Sequence, residues 1–225
     1  MTQGFRSSAS IVSVFLLIFA IGCGGGGSHA QLRVVQGSAD AGNVDVVIDG
    51  STLISSLAFA SPSKYESVSA GSRHIQIEQT GTTSPIIDEN VSLDSGAKYT
   101  LLTENFVSAI APLLLVDNTT APSSGNFQIR LVNDMPSVGN IDVYVVAPGT
   151  IPGQVPATVG NLNLDAASSY LSMTAGTYDI IVTGPGNVFT YFDSGPVSFT
   201  GGQNRTVVLL SNISGYGSIT LADLN

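Results

Sequence analysis

The chain has 225 residues, of which 10% are charged, and Lys plus Arg at 7 against Asp plus Glu at 16 leave a formal net charge of -9. A phosphate backbone is held mainly by Lys and Arg, so this balance excludes nucleic acid as a partner. Gly, Ser, Thr, Asn, Val, Ile and Leu are abundant, a vocabulary of short strands and tight turns that points to an all-β fold rather than a helical one.

The first element is MTQGFRSSASIVSVFLLIFAIGC, in which Arg6 and the α-amino group precede an apolar core from Ile11 to Ile21. As a helix that core rises about 16 Å, roughly half the hydrocarbon thickness of a bilayer, so residues 1–22 read as a signal peptide and not as a permanent span. Ala20-Ile21-Gly22-Cys23 resembles the lipobox of bacterial lipoproteins, with Ala20 where Leu is usual. The resemblance implies cleavage before Cys23 and lipidation of that residue. Ser28-His29-Ala30 offers an alternative, cleavage after Ala30 without a lipid. Each buried methylene contributes about 0.8 kcal/mol, so two or more acyl chains give stable anchoring, and the membrane is expected as a partner through this lipid. Residues 23–30, with Gly24 to Gly27, form a flexible tether. Gly24 stands where inner-membrane lipoproteins commonly carry Asp, which places the anchor in the outer membrane by resemblance. Cys23 is the single cysteine, so a disulfide within the exported fold is excluded.

Beyond the tether the chain writes one passage twice. LRVVQGSADAGNVDVVIDG, Leu32 to Gly50, returns as IRLVNDMPSVGNIDVYVVAPG, Ile129 to Gly149, and SKYESVSAG, Ser63 to Gly71, returns as SSYLSMTAG, Ser168 to Gly176. A repeat of this kind signals two structural units. Inside each unit apolar residues alternate with polar ones: Val44, Val46 and Ile48 against Asp45 and Asp49, Ile75 and Ile77 against His74, Gln76 and Glu78. Asp49-Gly50, Ala70-Gly71, Ser95-Gly96, Pro185-Gly186 and Gly201-Gly202 mark turns between the strands. Ala109 to Val116 reads as a closing strand, and NTTAPSSGN, Asn118 to Asn126, has the composition of a linker. Two sandwich or barrel domains are therefore expected at 31–118 and 127–225, with a linker at 119–126. An insertion around Pro148 to Pro156 is present in the second copy only.

The order L-R-V-V, a small polar turn, V-D-V-V-I-D-G, then a Tyr and an Ala-Gly turn, is similar to the bacterial domain of unknown function numbered 4397, a family often found in tandem on exported proteins. The matching residues are Leu32 to Gly50 with Tyr65 and Ala70-Gly71, and again Ile129 to Val146 with Tyr170 and Ala175-Gly176. The family commonly has a His and a Pro in the loop after the first strand; Gln36 to Ala41 has neither, and Asn133 to Ser137 has only Pro136. The resemblance implies an immunoglobulin-like β-sandwich for each copy and no established chemistry.

Residues able to carry chemistry are few. The two histidines are His29, in the tether, and His74, on the polar phase of a strand; neither belongs to a nucleophile elbow or a zinc motif. Asp88-Glu89 is the most noticeable carboxylate pair, but neighbours on a strand point to opposite faces. Asp40, Asn43 and Asp45 could offer oxygen to calcium, yet without the spacing of a calcium loop. Asn43 and Asn140 are expected to cap turns, with Asp45 and Asp142 on the solvent face of the next strand. Arg33 and Arg130, on otherwise apolar strands, are expected to pair with Asp45 or Asp142. Tyr65 and Tyr170 are expected to fix a corner by hydroxyl-to-backbone bonding rather than to stack on a ligand. Phe189, Tyr191 and Phe192 are expected to place one or two rings in the core and at least one outside. No catalytic, cofactor or metal residue is assigned, and Cys23 is the one site residue. These readings lead to a non-enzymatic, lipid-anchored envelope protein acting as an interaction or spacer module, with an envelope protein or glycan as its partner. The competing expectation is a glycan-active hydrolase with acids converging in a cleft between the domains.

Overall fold

The computed structural model describes Met1, residues 28–212 and residues 214–225. The signal peptide expected at 1–22 and the lipidation site Cys23 lie outside the described residues. Strand structure begins inside the expected tether: His29 and Ala30 open β1 (His29–Gln36), because Ala30 is buried in a core and the His29 carbonyl accepts a hydrogen bond from the Gly96 N–H.

β2 (Val44–Ile48) and β3 (Ser51–Leu57) form a hairpin on Asp49 and Gly50, whose φ values of 50° and 77° give the turn whose twist matches its strands. They are followed by β4 (Ser61–Pro62), β5 (Glu66–Ser69), β6 (Gly71–Gln79), β7 (Pro85–Leu93), β8 (Lys98–Glu104) and β9 (Ala111–Val116). One sheet has the order β4-β1-β8-β9, with β5 also on β1 and with β1 parallel to β8; the other has the order β3-β2-β6-β7.

The second half repeats this plan. Its strands are β10 (Asn126–Asp134), β11 (Ile141–Val146), β12 (Val159–Leu162), β13 (Ala166–Ala167), β14 (Leu171–Thr174), β15 (Gly176–Thr183), β16 (Thr190–Phe199), β17 (Asn204–Asn212) and β18 (Gly215–Leu224). They make sheets β13-β10-β17-β18, with β14 also on β10 and β10 parallel to β17, and β12-β11-β15-β16. Among the described residues the protein is thus all-β, four sheets forming two sandwich-like halves.

Each half closes on its own core. Leu32, Val34, Val44, Val46, Ile75, Ile77 and Leu101 meet in the first, and Phe127, Ile129, Leu131, Val143, Ile180, Val182 and Val207 in the second. Side chains alternate along a strand, so Arg33, Val35, Thr100 and Leu102 must point out of the first sandwich, and Arg130, Val132, Thr206 and Val208 out of the second. These outward residues are nevertheless buried, because the two sandwiches press those faces together around a third core of Val35, Leu102, Val132, Val208, Leu210 and Leu221. The four sheets therefore stack as layers, and β1, β8, β10 and β17 are buried on both faces. Arg33 lies level with Asp223 and Gly37 against Asp134, so β1 and β10 run in the same direction across the seam.

The copies differ most on the outer face of the last sheet. In the first half the corresponding residues Asp45, Val47, His74 and Gln76 are half-exposed. In the second, Asp142, Tyr144, Asp179 and Ile181 are buried. The insertion after β11 lies back over this face, its Gly149 N–H donating to Asp179 Oδ2 at 2.9 Å and its Gly153 packing against Val188.

Candidate functional site

Polar chemistry concentrates in the seam. Arg33 donates through Nε and Nη2 to Thr100 Oγ1 at 3.1 and 2.7 Å, through Nη1 to the carbonyl of Ala222 at 3.0 Å, and through Nη2 to Asp223 Oδ1 at 2.6 Å. Arg130 makes the reciprocal set: Nε to Thr206 Oγ1 at 3.0 Å, Nη1 to the carbonyl of Val116 at 2.8 Å and Nη2 to Asp117 Oδ1 at 2.5 Å. Each guanidinium thus reaches the carboxylate of the opposite sandwich. Arg33 also lies 3.5 Å from Asp117. Both arginine side chains are 5% exposed and both Asp side chains 0%.

The second carboxylate oxygens are filled from within each half. Asp117 Oδ2 accepts from Tyr65 Oη and Thr100 Oγ1, both at 2.6 Å, and Asp223 Oδ2 accepts from Tyr170 Oη at 2.8 Å and Thr206 Oγ1 at 2.7 Å. The tyrosine rings lie against the arginines, 4.6 Å from Arg33 to Tyr65 and 4.7 Å from Arg130 to Tyr170. Burial, then the hydrogen bond to Asp117, holds the Tyr65 phenol well above its usual range, and burial pushes Tyr170 up to about 12. Both phenols remain donors. A carboxylate held by a guanidinium, a phenol and a hydroxyl has no oxygen left for acid–base work, so this constellation is mechanical: it fastens two sandwiches together.

A second acidic group lies at the Gly37 end of the seam. Glu104, Asp134 and Asp165 converge there, with Glu104 Oε1, Asp134 Oδ2 and Asp165 Oδ1 buried and unpartnered. Burial first, then Asp134 and Asp165, pushes Glu104 up to about 9. Burial pushes Asp134 to about 7, against the opposing Asn105 N–H. Acids from both halves do converge, as a hydrolase would need. Glu104 at 1% and Asp134 at 0% exposure, however, are sealed from any substrate.

Several sequence expectations are corrected here. Arg33 and Arg130 do not pair with Asp45 or Asp142, because β1 and β2 belong to different sheets and Arg33 faces away from both; the partners are Asp223 and Asp117. Tyr65 and Tyr170 donate to those carboxylates, and of the expected hydroxyl-to-backbone bonds Tyr170 makes one, its Oη accepting the Asn118 N–H at 3.2 Å. Asn43 Nδ2 donates to Ser56 Oγ of β3, and Asn140 Nδ2 donates to Asn161 Oδ1 of β12 and to Asn163 Oδ1 while its Oδ1 accepts the Leu164 N–H at 3.4 Å. Asp142 is buried, accepting from the Asn161 and Gly186 N–H groups at 2.6 and 2.8 Å. Asp40 accepts from the Val107 N–H, and Asp45 from the Ser56 N–H and the Thr80 hydroxyl. His74 is 41% exposed and pairs with Asp88 at 2.5 Å, which lowers the Asp88 pKa.

The third feature is apolar. Val188 at 66%, Phe189 at 65%, Ile151 at 58% and Tyr216 at 40% are exposed in the second sandwich, and Val116 at 61% in the first. The Phe189 and Tyr191 rings meet at 5.5 Å and 73°, the Tyr191 and Tyr216 rings at 5.6 Å and 59°. As expected, Tyr191 and Phe192 pack against the core while Phe189 stands outside. Thr183, at the foot of this hairpin, pairs with Asp142 just after the loop that leaves β10, so the patch shares an end with Gly37 and Asp134. The chain enters β1 at the opposite end.

Fold and seam together define an all-β protein of two like sandwiches joined by a buried ionic lock. The model of the family described as Domain of unknown function (DUF4397) matches residues 30–144, just over half of the chain, and the chain belongs to that family. The match covers the first sandwich, β10 and most of β11. No curated protein matches the sequence. Among solved structures, the chain is similar to the CBMbc module (family CBM26) of Amy13K from Eubacterium rectale, in complex with maltoheptaose. Identity there is 12%, over 86% of this chain and 97% of that one, at a TM-score of 0.29. A leucine-rich repeat protein from Bacteroides thetaiotaomicron matches at 12% identity over 88% of this chain and 25% of its own length, with a TM-score of 0.19. Superpositions this loose carry no argument about a ligand.

Proposed function

We propose that the protein is a non-enzymatic, lipid-anchored component of the cell envelope, in which two copies of the family domain form one stiff body that stands off the membrane and presents its far end to a protein partner. Identical strand order in the two halves supports the second copy. Cys23 carries the lipid, and Gly24 to Gly27 give the body its freedom at the membrane surface.

The observation that carries this reading is the placement of the exposed apolar patch at the end opposite to the entry of the chain into β1. Contiguous exposed apolar surface marks interaction sites. The contiguous Phe189, Tyr191 and Tyr216 rings suit the apolar centre of a protein interface. A photoreactive residue at Phe189 in the full chain in cells is expected to crosslink to an envelope protein, while one at Ser92 of the first sandwich gives no adduct. Glycan adducts, or equal adducts from both positions, would refute the patch as a protein-docking surface. Mass spectrometry of the mature amino terminus, with and without Cys23→Ala, tests the anchor; an unacylated protein starting at Gln31 would remove it.

A further inference from the structure

β18 (Gly215–Leu224) pairs with β17 and, among the described residues, with no other strand. The Gln203 carbonyl accepts the Gln128 N–H from β10, so alternation along β17 turns Arg205, Val207 and Leu209 toward β10. Their partners Ala222, Thr220 and Ser218 therefore point their N–H and C=O groups away from β17, and the Ala222 carbonyl takes Arg33 at 3.0 Å. Tyr216 completes this outward row.

An unpaired row of this kind is a template for another strand, and edge strands are usually guarded by charge, proline or a bulge. The other long edges of this fold have such guards. β7 carries Pro85, Asp88 and Glu89, β16 carries Asp193 and Pro196 with Gly195 at a φ of 61°, and β3 has irregular register with Ser56 at 54°. β9 is the counterpart of β18, since the Val116 carbonyl takes Arg130 as that of Ala222 takes Arg33. Counted back from these carbonyls, Pro112 of β9 stands where β18 has Ser218. From Gly215 to Ala222 β18 has no charge and no proline, and it pairs with β17 without a break. The guard present in the first copy is absent from the second.

Beside this edge lies a cavity of about 330 Å³, walled by Thr220, Leu221 and Ala222 on one side and by Pro62, Lys64 and Tyr65 of the first half on the other. Arg33 also reaches it, but each of its nitrogens already donates to Thr100, Ala222 or Asp223, so the cavity suits an apolar group better than an anion. Leu221 faces the third core, and a residue paired with it on an added strand points to the same side, into the cavity. At the other end of the row the Tyr216 ring meets Tyr191 of the exposed apolar patch at 5.6 Å, so edge and patch are continuous.

We infer that the outer edge of β18 is a docking site for an extended segment of the partner protein, which joins the sheet as a further strand and sets an apolar side chain in the cavity beside Leu221. Main-chain bonds hold such a segment and alternate side chains select it. This names how the partner of the apolar patch is held, and in taking that partner to be a protein it rests on the reading above.

The test places photoreactive residues at Thr220 and Ala222, both exposed, at Lys64 on the far wall of the cavity, and at Phe189 of the patch, one at a time in the full chain in cells. Adducts are mapped by mass spectrometry. Thr220 and Ala222 are expected to capture one segment of one protein at positions two residues apart, and Lys64 an apolar residue of the same segment. Ser218→Pro copies the guard of β9 and removes an outward N–H without breaking a bond to β17, so the urea midpoint is expected to hold. It is expected to cut the Thr220 and Ala222 adducts about tenfold, whereas Ser218→Thr, which keeps the N–H, leaves them unchanged. No adducts at Thr220 and Ala222, adducts scattered over the partner, adducts to a second copy of this chain, or adducts that persist in Ser218→Pro would overturn the strand pairing; Phe189 adducts surviving beside any of these would leave the patch standing. Adducts in register from β18 with none from Phe189 would remove the patch and keep the edge. No adduct from Lys64 would remove the cavity from the site.

Discussion

Removing Arg33 is the most informative single perturbation, because its guanidinium serves two buried carboxylates. It bonds Asp223 at 2.6 Å and lies 3.5 Å from Asp117, both with 0% side-chain exposure. In Arg33→Ala, Asp223 keeps the Tyr170 and Thr206 hydroxyls but loses its cross-seam cation, and the carbonyl of Ala222 loses a donor. Breaking a buried pair by deleting one partner costs about 3–5 kcal/mol, since the survivor is left charged in a poorly solvated site. Arg130→Ala is expected to fall at the lower end, about 3 kcal/mol, because Asp117 retains Arg33 nearby. Arg33→Ala is expected at the upper end, about 4–5 kcal/mol. Urea unfolding followed by tyrosine fluorescence and far-ultraviolet circular dichroism reads both. The wild type is expected to unfold in one transition and Arg33→Ala to separate into two as the sandwiches uncouple. A loss below about 1 kcal/mol for Arg33→Ala, the size of an exposed pair, would refute the buried-lock argument.

Two further outcomes follow from the same geometry. Glu104 and Asp134 have folded-state pKa values raised to about 9 and about 7, so the folded protein holds protons that the unfolded chain releases. Their stabilising contribution is full below the ordinary carboxylate pKa and is lost as pH rises through 7 and 9, by up to about 1.4 kcal/mol per pH unit for each group. Stability measured from pH 5 to 9 should fall in the wild type and fall less in Glu104→Gln. Glu104→Leu, which copies Leu210 at the matching place, should stabilise the protein by about 1–3 kcal/mol at pH 8; a flat wild-type profile would contradict this account. Deleting Pro148 to Pro156 should destabilise the second sandwich by about 3 kcal/mol, because it uncovers Tyr144 and Ile181. A change within about 0.5 kcal/mol would mean that the insertion covers nothing of consequence.

The repeated passage announced two like units, and alternation in Val44 to Ile48 and Ile75 to Ile77 placed the strands that are wet on one side. The seam was half-visible. Leu32 to Val35, Ile129 to Val132 and Thr206 to Leu210 are nearly continuous apolar runs, the pattern of strands buried on both faces, and that pattern could have announced the third core. The arginines inside these runs stood out, but their partners could not be read. Asp117 directly follows β9 and Asp223 lies in β18, and only the docking of one sandwich on the other brings them to Arg130 and Arg33. Tyr65 and Tyr170 were found by their repetition, while their acceptors were missed for the same reason. The buried Glu104, Asp134 and Asp165 gave no signal, since their meeting depends on the register between two sheets from different halves. The insertion was found as a difference between copies, yet nothing in its Pro- and Gly-rich sequence said that it would lie back on the sheet.

The central claim is that reciprocal Arg–Asp bonds hold the two sandwiches as one body. Its most direct test is the distance distribution between spin labels at Ser92 and Ser198, exposed positions in the first and second sandwich, measured by pulsed electron resonance in a Cys23→Ser background. A single narrow distribution is expected for the otherwise unaltered chain, broadening when Arg33 and Arg130 are both replaced by Ala. A broad distribution in the unaltered chain, or an unchanged narrow one without the two arginines, would contradict the account.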